Sequence, residues 1–135
     1  MNRENFSKIV SLFNIAAIKA GEKIMENYKS SNYKVKHDGS PITIADLEAN
    51  KVITEILSSK IADIKIVSEE NEELNDSEKY FLIDPLDGTK EFISKNGEFT
   101  VNIALIIGGK PVIGSVYLPF KKELFWNDEK NSYYK

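Results

Sequence analysis

The stretch FTVNIALII, residues 99–107, alternates large apolar side chains with polar or small ones along most of its length. The apolar set that would share one face is Phe99, Val101, Ile103, Leu105 and Ile107, with Thr100, Asn102 and Ala104 opposite. A period of two residues is typical of a strand with one buried face. The segment GGKP, residues 108–111, follows as a turn, and apolar residues return over 112–118. This pattern predicts an antiparallel β-hairpin.

Short apolar runs on both sides of the hairpin predict further strands. They are KIVS at residues 65–68, YFLI at 80–83 and ELFW at 123–126. The run at 80–83 is continuously apolar and stops at Asp84-Pro85, as expected for a strand buried on both faces. A short helix is predicted to begin near Thr89.

Two helices are predicted before these strands. Residues 6–28 repeat apolar side chains at three- and four-residue steps, which indicates a long amphipathic helix. Its stripe is Phe6, Ile9, Val10, Phe13, Ala16, Ala17, Ala20 and Ile24, while Ile15 and Ile18 lie off it and predict a second buried face. Thr43 and Asp46 have the spacing of a capping box and open a second helix that ends near residue 59. Its apolar residues are Leu47, Ala49, Ile53, Ile56 and Leu57. A short extended piece at 33–36 and a turn at 37–41 are expected between the helices.

This order predicts an α+β (layered α/β) fold in which two amino-terminal helices pack on a mixed, largely antiparallel sheet. The chain has 135 residues, which is the size of one domain.

The composition excludes several classes of protein. Without cysteine there are no disulfides, thiol nucleophiles or cysteine-bound zinc, and His37 is the single histidine. The net charge of −3, without a basic stripe, argues against binding a nucleic-acid polymer. No apolar run reaches the roughly 18 residues of a membrane span, and no secretory signal is visible. A cytoplasmic protein is expected, and an anionic substrate would need a cation beside it.

The segment DPLDGT, residues 84–89, carries the most chemistry. Asp84 and Asp87 are expected to converge across a tight turn, and the Leu86 carbonyl can face the same point. Such hard oxygen ligands suit Mg²⁺. Gly88 would allow close approach of a ligand, and the amides of residues 88–90 at a helix start would point at an anion.

Each of these residues also has an ordinary structural interpretation. Asp-Pro and Asp-Gly are common turn formers, and D-P-x-D-G alone is more often a turn than a metal site. For Asp46, a structural role in capping the second helix is a sufficient explanation of its position. Glu69 and Glu70 end a predicted strand and can meet the other carboxylates, but the acidic residues 69–73 also fit a solvated loop.

Three spaced motifs decide between these interpretations. SPITIAD at residues 40–46, VSEEN at 67–71 and DPLDGTKEFI at 84–93, followed by NGEFTVNIAL at 96–105, resemble the inositol-monophosphatase superfamily. The Lys90-Glu91-Phe92 continuation is similar to its 3′(2′),5′-bisphosphate nucleotidase branch (CysQ type). The resemblance implies removal of the 3′-phosphate from adenosine 3′,5′-bisphosphate, giving AMP and phosphate, within sulfur metabolism.

The resemblance also implies roles for individual residues. Glu69, Asp84 and the Leu86 carbonyl would hold one Mg²⁺, and Asp84 and Asp87 would contribute to a second. Lithium is expected to inhibit. Asp46 and Thr89 would position and deprotonate the attacking water, which replaces the capping interpretation of Asp46. The substrate phosphate would contact Glu69, Leu86, Asp87, Gly88 and Thr89.

The family resemblance spans about half of the usual family length, so residues 1–135 are expected to be its metal-binding amino-terminal domain without the carboxy-terminal one. Three hypotheses stay open: a bisphosphate nucleotidase, an inositol- or sugar-phosphate phosphatase with the same metal site, and a catalytically incompetent metal-binding or interaction domain. A homo-oligomer or a missing second domain also stays open. So does peripheral association with the inner membrane, which the family resemblance allows.

Overall fold

The computed structural model describes residues 3–28, 33–35, 41–68, 78–94, 96–128 and 130–135. The described elements follow the predicted order, with two helices before most of the strands and a short third helix among them. The helices are α1 (Arg3–Glu26), α2 (Ile44–Lys60) and α3 (Thr89–Ser94). The strands are β1 (Tyr33–Val35), β2 (Pro41–Thr43), β3 (Lys65–Ser68), β4 (Lys79–Asp87), β5 (Thr100–Ile107), β6 (Lys110–Leu118), β7 (Glu123–Asn127) and β8 (Ser132–Tyr134).

A mixed sheet forms the centre of the fold, with strand order β3-β4-β5-β6-β7-β8. The strands β3 and β4 are parallel, and every later neighbouring pair is antiparallel, which confirms the predicted fold class. The predicted hairpin is β5–β6. Gly108 and Gly109 join its strands with φ values of 57° and 78°. A two-residue turn that follows the twist of the strands needs such positive φ angles, and glycine adopts them without steric cost.

The hydrophobic core lies between α1, α2 and one face of this sheet. Every residue of the predicted α1 stripe is buried, and so are Val101, Ile103 and Leu105 of β5. The ring of Phe13 on α1 meets Phe81 of β4 edge-on, with ring centroids 5.4 Å apart. Full burial of one such side chain contributes about 1.5–3 kcal/mol, so this contact helps hold the helix layer on the sheet.

Several predictions of burial are wrong. Ile15 and Ile18 are 50% and 37% exposed, and Leu47 on α2 is 54% exposed. The described part of the chain packs against α1 along one stripe only, so the predicted second buried face of α1 is open to solvent. Leu82 is 43% exposed because the helices cover a single face of β4. Among the described helices, none combines the length and hydropathy that crossing a lipid bilayer requires.

Strand boundaries differ from the predicted ones in three places. Pro41 begins β2 and is not part of the turn; the first residue of a strand is a position that proline tolerates. The strand β4 continues beyond the apolar run as far as Asp87. The short strand β8 was not expected, since three residues are too few to show a period. The predicted turn at residues 37–40 and the acidic residues 69–73 lie outside the described residues.

The sheet face opposite the helices, which we call the open face, carries a row of aligned side chains. Cross-strand pairing links Asp84 to Asn102, Asn102 to Val116, Val116 to Phe125, and Phe125 to Tyr134. Directly paired residues point to the same face of a sheet. Val116 and Phe125 are 37% and 41% exposed, and a groove of about 410 Å³ runs beside them to Asp84. The described residues thus leave an apolar surface next to a predicted metal ligand.

Candidate active site

An irregularity near the end of β4 brings two predicted metal ligands to one face. Asp84 pairs with Asn102 and Asp87 pairs with Thr100, so three steps along β4 match two steps along β5. In a regular strand, residues three apart point to opposite faces, but the additional residue of a β-bulge restores the same face. The predicted tight turn is therefore wrong: the bulge places the two carboxylates on one face, and their convergence on one point stays a prediction.

A hydrogen bond joins the two predicted catalytic residues. Thr89, the first residue of α3, donates its hydroxyl hydrogen to Oδ1 of Asp46 across 3.0 Å. Asp46 lies in the first turn of α2 and is fully buried. These residues are 43 positions apart in the sequence, so the fold creates the pair. The contact gives Asp46 a tertiary role beyond the helix start that its spacing from Thr43 indicates.

The same threonine hydroxyl lies near the Leu86 carbonyl. Its Oγ1 is 3.4 Å from that oxygen, longer than its distance to Asp46. A hydroxyl has one hydrogen, and the shorter contact to a carboxylate is the stronger hydrogen bond. The Leu86 carbonyl therefore retains lone-pair capacity for a further partner, while the Leu86 side chain is buried in the core.

Asn102 is a contributor that was not predicted as a site residue. Its Nδ2 amide donates to Oδ2 of Asp87 across 3.2 Å. Sequence alternation placed Asn102 on the polar side of β5, but the bulge that brings Asp87 into its reach was not expected. The signal that could have found it is the pairing of a polar β5 position with the acidic end of β4.

A second unpredicted contact anchors the end of β3. Ser68, which is 1% exposed, donates its hydroxyl hydrogen to Oδ1 of Asn50 across 2.7 Å. Asn50 lies one helical turn after Asp46 on α2, so the same helix contacts both β3 and α3. Ser68 pairs with Ile83, the residue before Asp84. The four-residue spacing of Asp46 and Asn50 is the sequence signal for this anchor.

The backbone conformation at residue 88 requires glycine. Its φ is +92°, which non-glycine residues rarely adopt, and its carbonyl accepts the Phe92 amide to begin α3. A Cβ atom here would lie 3.1 Å from Oε2 of Glu91 and 3.2 Å from the Glu98 carbonyl oxygen. The glycine therefore permits a close approach of two backbone segments, in addition to any role toward a ligand.

The donor chemistry of these residues fits a divalent cation of the Mg²⁺ type. Asp84 and Asp87 supply carboxylates on one face, and Oδ1 of Asp84 is shielded from solvent. The Leu86 carbonyl adds a neutral hard oxygen of the kind that suits Mg²⁺. Within the described residues, no three acidic or histidine side chains gather into a metal cluster. Glu69, Glu70 and His37 lie outside the described residues. The complete site, in which Glu69 joins Asp84, Asp87 and the Leu86 carbonyl, therefore stays a prediction.

The chain is similar in sequence to known proteins. The model of the inositol monophosphatase family matches residues 6–134. The 3′(2′),5′-bisphosphate nucleotidase CysQ of Salmonella typhimurium is 50% identical over 117 residues, covering 82% of this chain and 48% of that protein. The chain spans about half the length of the curated relatives it matches.

Solved structures show the same fold over nearly the whole chain. The extragenic suppressor protein suhB of Bartonella henselae is similar with a TM-score of 0.87 and 31% identity, covering 95% of this chain and 52% of that one. CysQ of Bacteroides thetaiotaomicron has a TM-score of 0.79 and 40% identity, with 95% and 49% coverage.

Proposed function

Because the chain belongs to the inositol monophosphatase family, we propose that it carries catalytic residues of a Mg²⁺-dependent bisphosphate nucleotidase. The proposed reaction is hydrolysis of the 3′-phosphate of adenosine 3′,5′-bisphosphate to AMP and phosphate. The observation that carries the proposal is the Asp46–Thr89 hydrogen bond, and Thr89 follows Asp87 by two residues in the sequence. The similarity to nucleotidase relatives supports this substrate over an inositol or sugar phosphate.

The proposed metal ligands are Asp84, Asp87 and the Leu86 carbonyl, with Glu69 added from the sequence motif. Bound there, Mg²⁺ would supply positive charge that offsets the charge of the phosphate and of the leaving oxygen. The carboxylates alone would repel a phosphate, because like charges at close range destabilise one another. Ser68 is held by Asn50 at the end of β3, and Glu69 is the next residue of the chain.

Asp46 and Thr89 are proposed to deprotonate the attacking water. The Thr89 hydroxyl donates to Asp46, so the lone pairs of its oxygen can accept a hydrogen bond from water. As the water oxygen attacks phosphorus, the water proton passes to Oγ1 of Thr89 and the original Thr89 proton passes to Oδ1 of Asp46. The bond from phosphorus to the 3′-oxygen breaks with its electron pair on that oxygen, which takes a proton from solvent. Burial of Asp46 keeps the acceptor fixed during this transfer.

A phosphate-release assay tests this proposal with Mg²⁺ present and after chelation. Adenosine 3′,5′-bisphosphate should be hydrolysed faster than inositol monophosphate or fructose 1,6-bisphosphate, and lithium should inhibit. Asp84→Asn should abolish release with the fold intact by circular dichroism. Asp63→Asn, at an exposed turn before β3, is the matched control and should retain it. Faster release from inositol monophosphate would contradict the nucleotidase proposal and favour an inositol-phosphate phosphatase.

A second candidate, favoured by the exposed apolar open face, is a metal-binding domain that acts only with a partner polypeptide. Apolar patches of this kind commonly mark interaction surfaces. The partner would correspond to the half of the relatives that this chain does not match. Mg²⁺ binding without turnover, converted to turnover by adding that half of a matched relative, would support this candidate. Phe125→Glu on the open face should prevent the gain, whereas Ile18→Glu on the solvent-facing side of α1 should not.

A further inference from the structure

We infer that Asn102 is a positioning residue for the carboxylate of Asp87. This inference rests on the proposed function, in which Asp87 is a metal ligand. Asn102 lies on β5 directly opposite Asp84, and its amide crosses diagonally to Asp87. It therefore adjoins both acidic residues of β4 without carrying a charge.

The contact selects one oxygen of Asp87. Nδ2 of Asn102 donates to Oδ2 across 3.2 Å, which leaves Oδ1 for another partner. Asp87 is exposed, and Asn102 is the hydrogen-bond partner that the described residues provide for its side chain. A solvated carboxylate otherwise samples several rotamers, and fixing them during ligand binding costs conformational entropy. Because Asn102 already restricts the Asp87 side chain in the folded protein, less conformational entropy is lost when a ligand binds.

The neutral amide is also the appropriate donor for this position. A lysine would orient Asp87 equally well, but its positive charge would compete with a metal cation. A third carboxylate would lack the hydrogen to donate and would repel Asp84 and Asp87. Asparagine donates a hydrogen bond and leaves the negative charge of the pair undiminished. Partners of this kind, which orient ligands without touching the metal, typically change metal affinity 10- to 100-fold when removed.

Titration of the chain with Mg²⁺, followed by calorimetry, tests this inference. The dissociation constant should rise about tenfold in Asn102→Ala, the lower end of the range for such partners. Urea unfolding should show that the variant remains folded. Asn102→Ser, which retains a shorter hydroxyl donor, should recover part of the affinity.

The matched control is Asn127→Ala on β7. Asn127 makes two hydrogen bonds to the β6 backbone, accepting from the Gly114 amide at 2.8 Å and donating to the Val112 carbonyl at 3.1 Å. Its loss should lower stability and leave the Mg²⁺ dissociation constant unchanged. Equal Mg²⁺ binding by Asn102→Ala and the unmodified chain would overturn the positioning role alone. Absence of Mg²⁺ binding by the unmodified chain would overturn the proposed metal site and this inference with it.

Discussion

Replacement of Thr89 by valine isolates the hydrogen bond on which the proposed chemistry depends. Valine has nearly the shape of threonine, so the substitution removes the hydroxyl with little change in packing. The lost bond is 3.0 Å long, and its acceptor is the fully buried carboxylate of Asp46. Hydrogen bonds to charged groups contribute about 1.5–3 kcal/mol, and their loss leaves part of the buried charge uncompensated.

We therefore expect Thr89→Val to lower the free energy of unfolding by about 2 kcal/mol. For a domain of this size, that loss corresponds to a decrease in Tm of about 6–8 °C. Urea unfolding followed by far-ultraviolet circular dichroism measures it, with Thr89→Ser as the control that keeps the donor. The serine variant should lie within about 1 kcal/mol of the unmodified chain. Equal stability of the valine and serine variants would refute the hydrogen bond and, with it, the proposed proton route.

Three further substitutions or titrations examine other parts of the structure. Gly88→Ala should cost about 1–2 kcal/mol in unfolding experiments, because φ is +92° and the new Cβ would lie 3.2 Å from the Glu98 carbonyl; unchanged stability would contradict the geometry. Phe13→Ala should cost about 3–5 kcal/mol, since the ring is fully buried; a loss below 1 kcal/mol would contradict its place in the core. The hydrogen bond from Tyr133 to Asp128 raises the tyrosine pKa above its ordinary value, so the stabilisation of the β7–β8 hairpin should persist below that ordinary pKa and be lost as pH rises through the raised one. Ultraviolet titration against Tyr133→Phe should show this late ionisation, and an ordinary tyrosine pKa would contradict the contact.

The layers of the fold follow from two periods in the sequence. The three- and four-residue steps of the α1 stripe and the two-residue alternation of β5 each identify a buried face, and both faces lie where predicted. Burial of Ile15 and Ile18 was predicted wrongly because hydropathy shows which side chains favour burial but not which neighbours are available. The spacing of apolar residues along the sequence therefore identifies one buried face of a helix or strand, but not whether a second face is also buried.

The candidate site depends on features that local sequence describes poorly. Asp84-Pro85 and Asp87-Gly88 have the composition of turns, whereas the structure contains a strand with a bulge. A bulge depends on pairing with β5, which is remote in sequence, so the segment alone could not indicate it. The family resemblance implied a role for Asp46 beside Thr89; the two side chains are hydrogen-bonded in the structure, and their catalytic role stays a prediction.

In the proposed metal site, oxygen atoms of Asp84, Leu86 and Asp87 share a divalent cation. Anomalous diffraction from crystals of the chain soaked in Mn²⁺, a substitute for Mg²⁺ that scatters strongly, can locate this cation. We expect a peak at coordination distance from the Asp84 and Asp87 carboxylates and the Leu86 carbonyl, on the side of β4 that faces Asn102. A bound Mn²⁺ held by other residues, or no peak beside these carboxylates at saturating Mn²⁺, would contradict the claim.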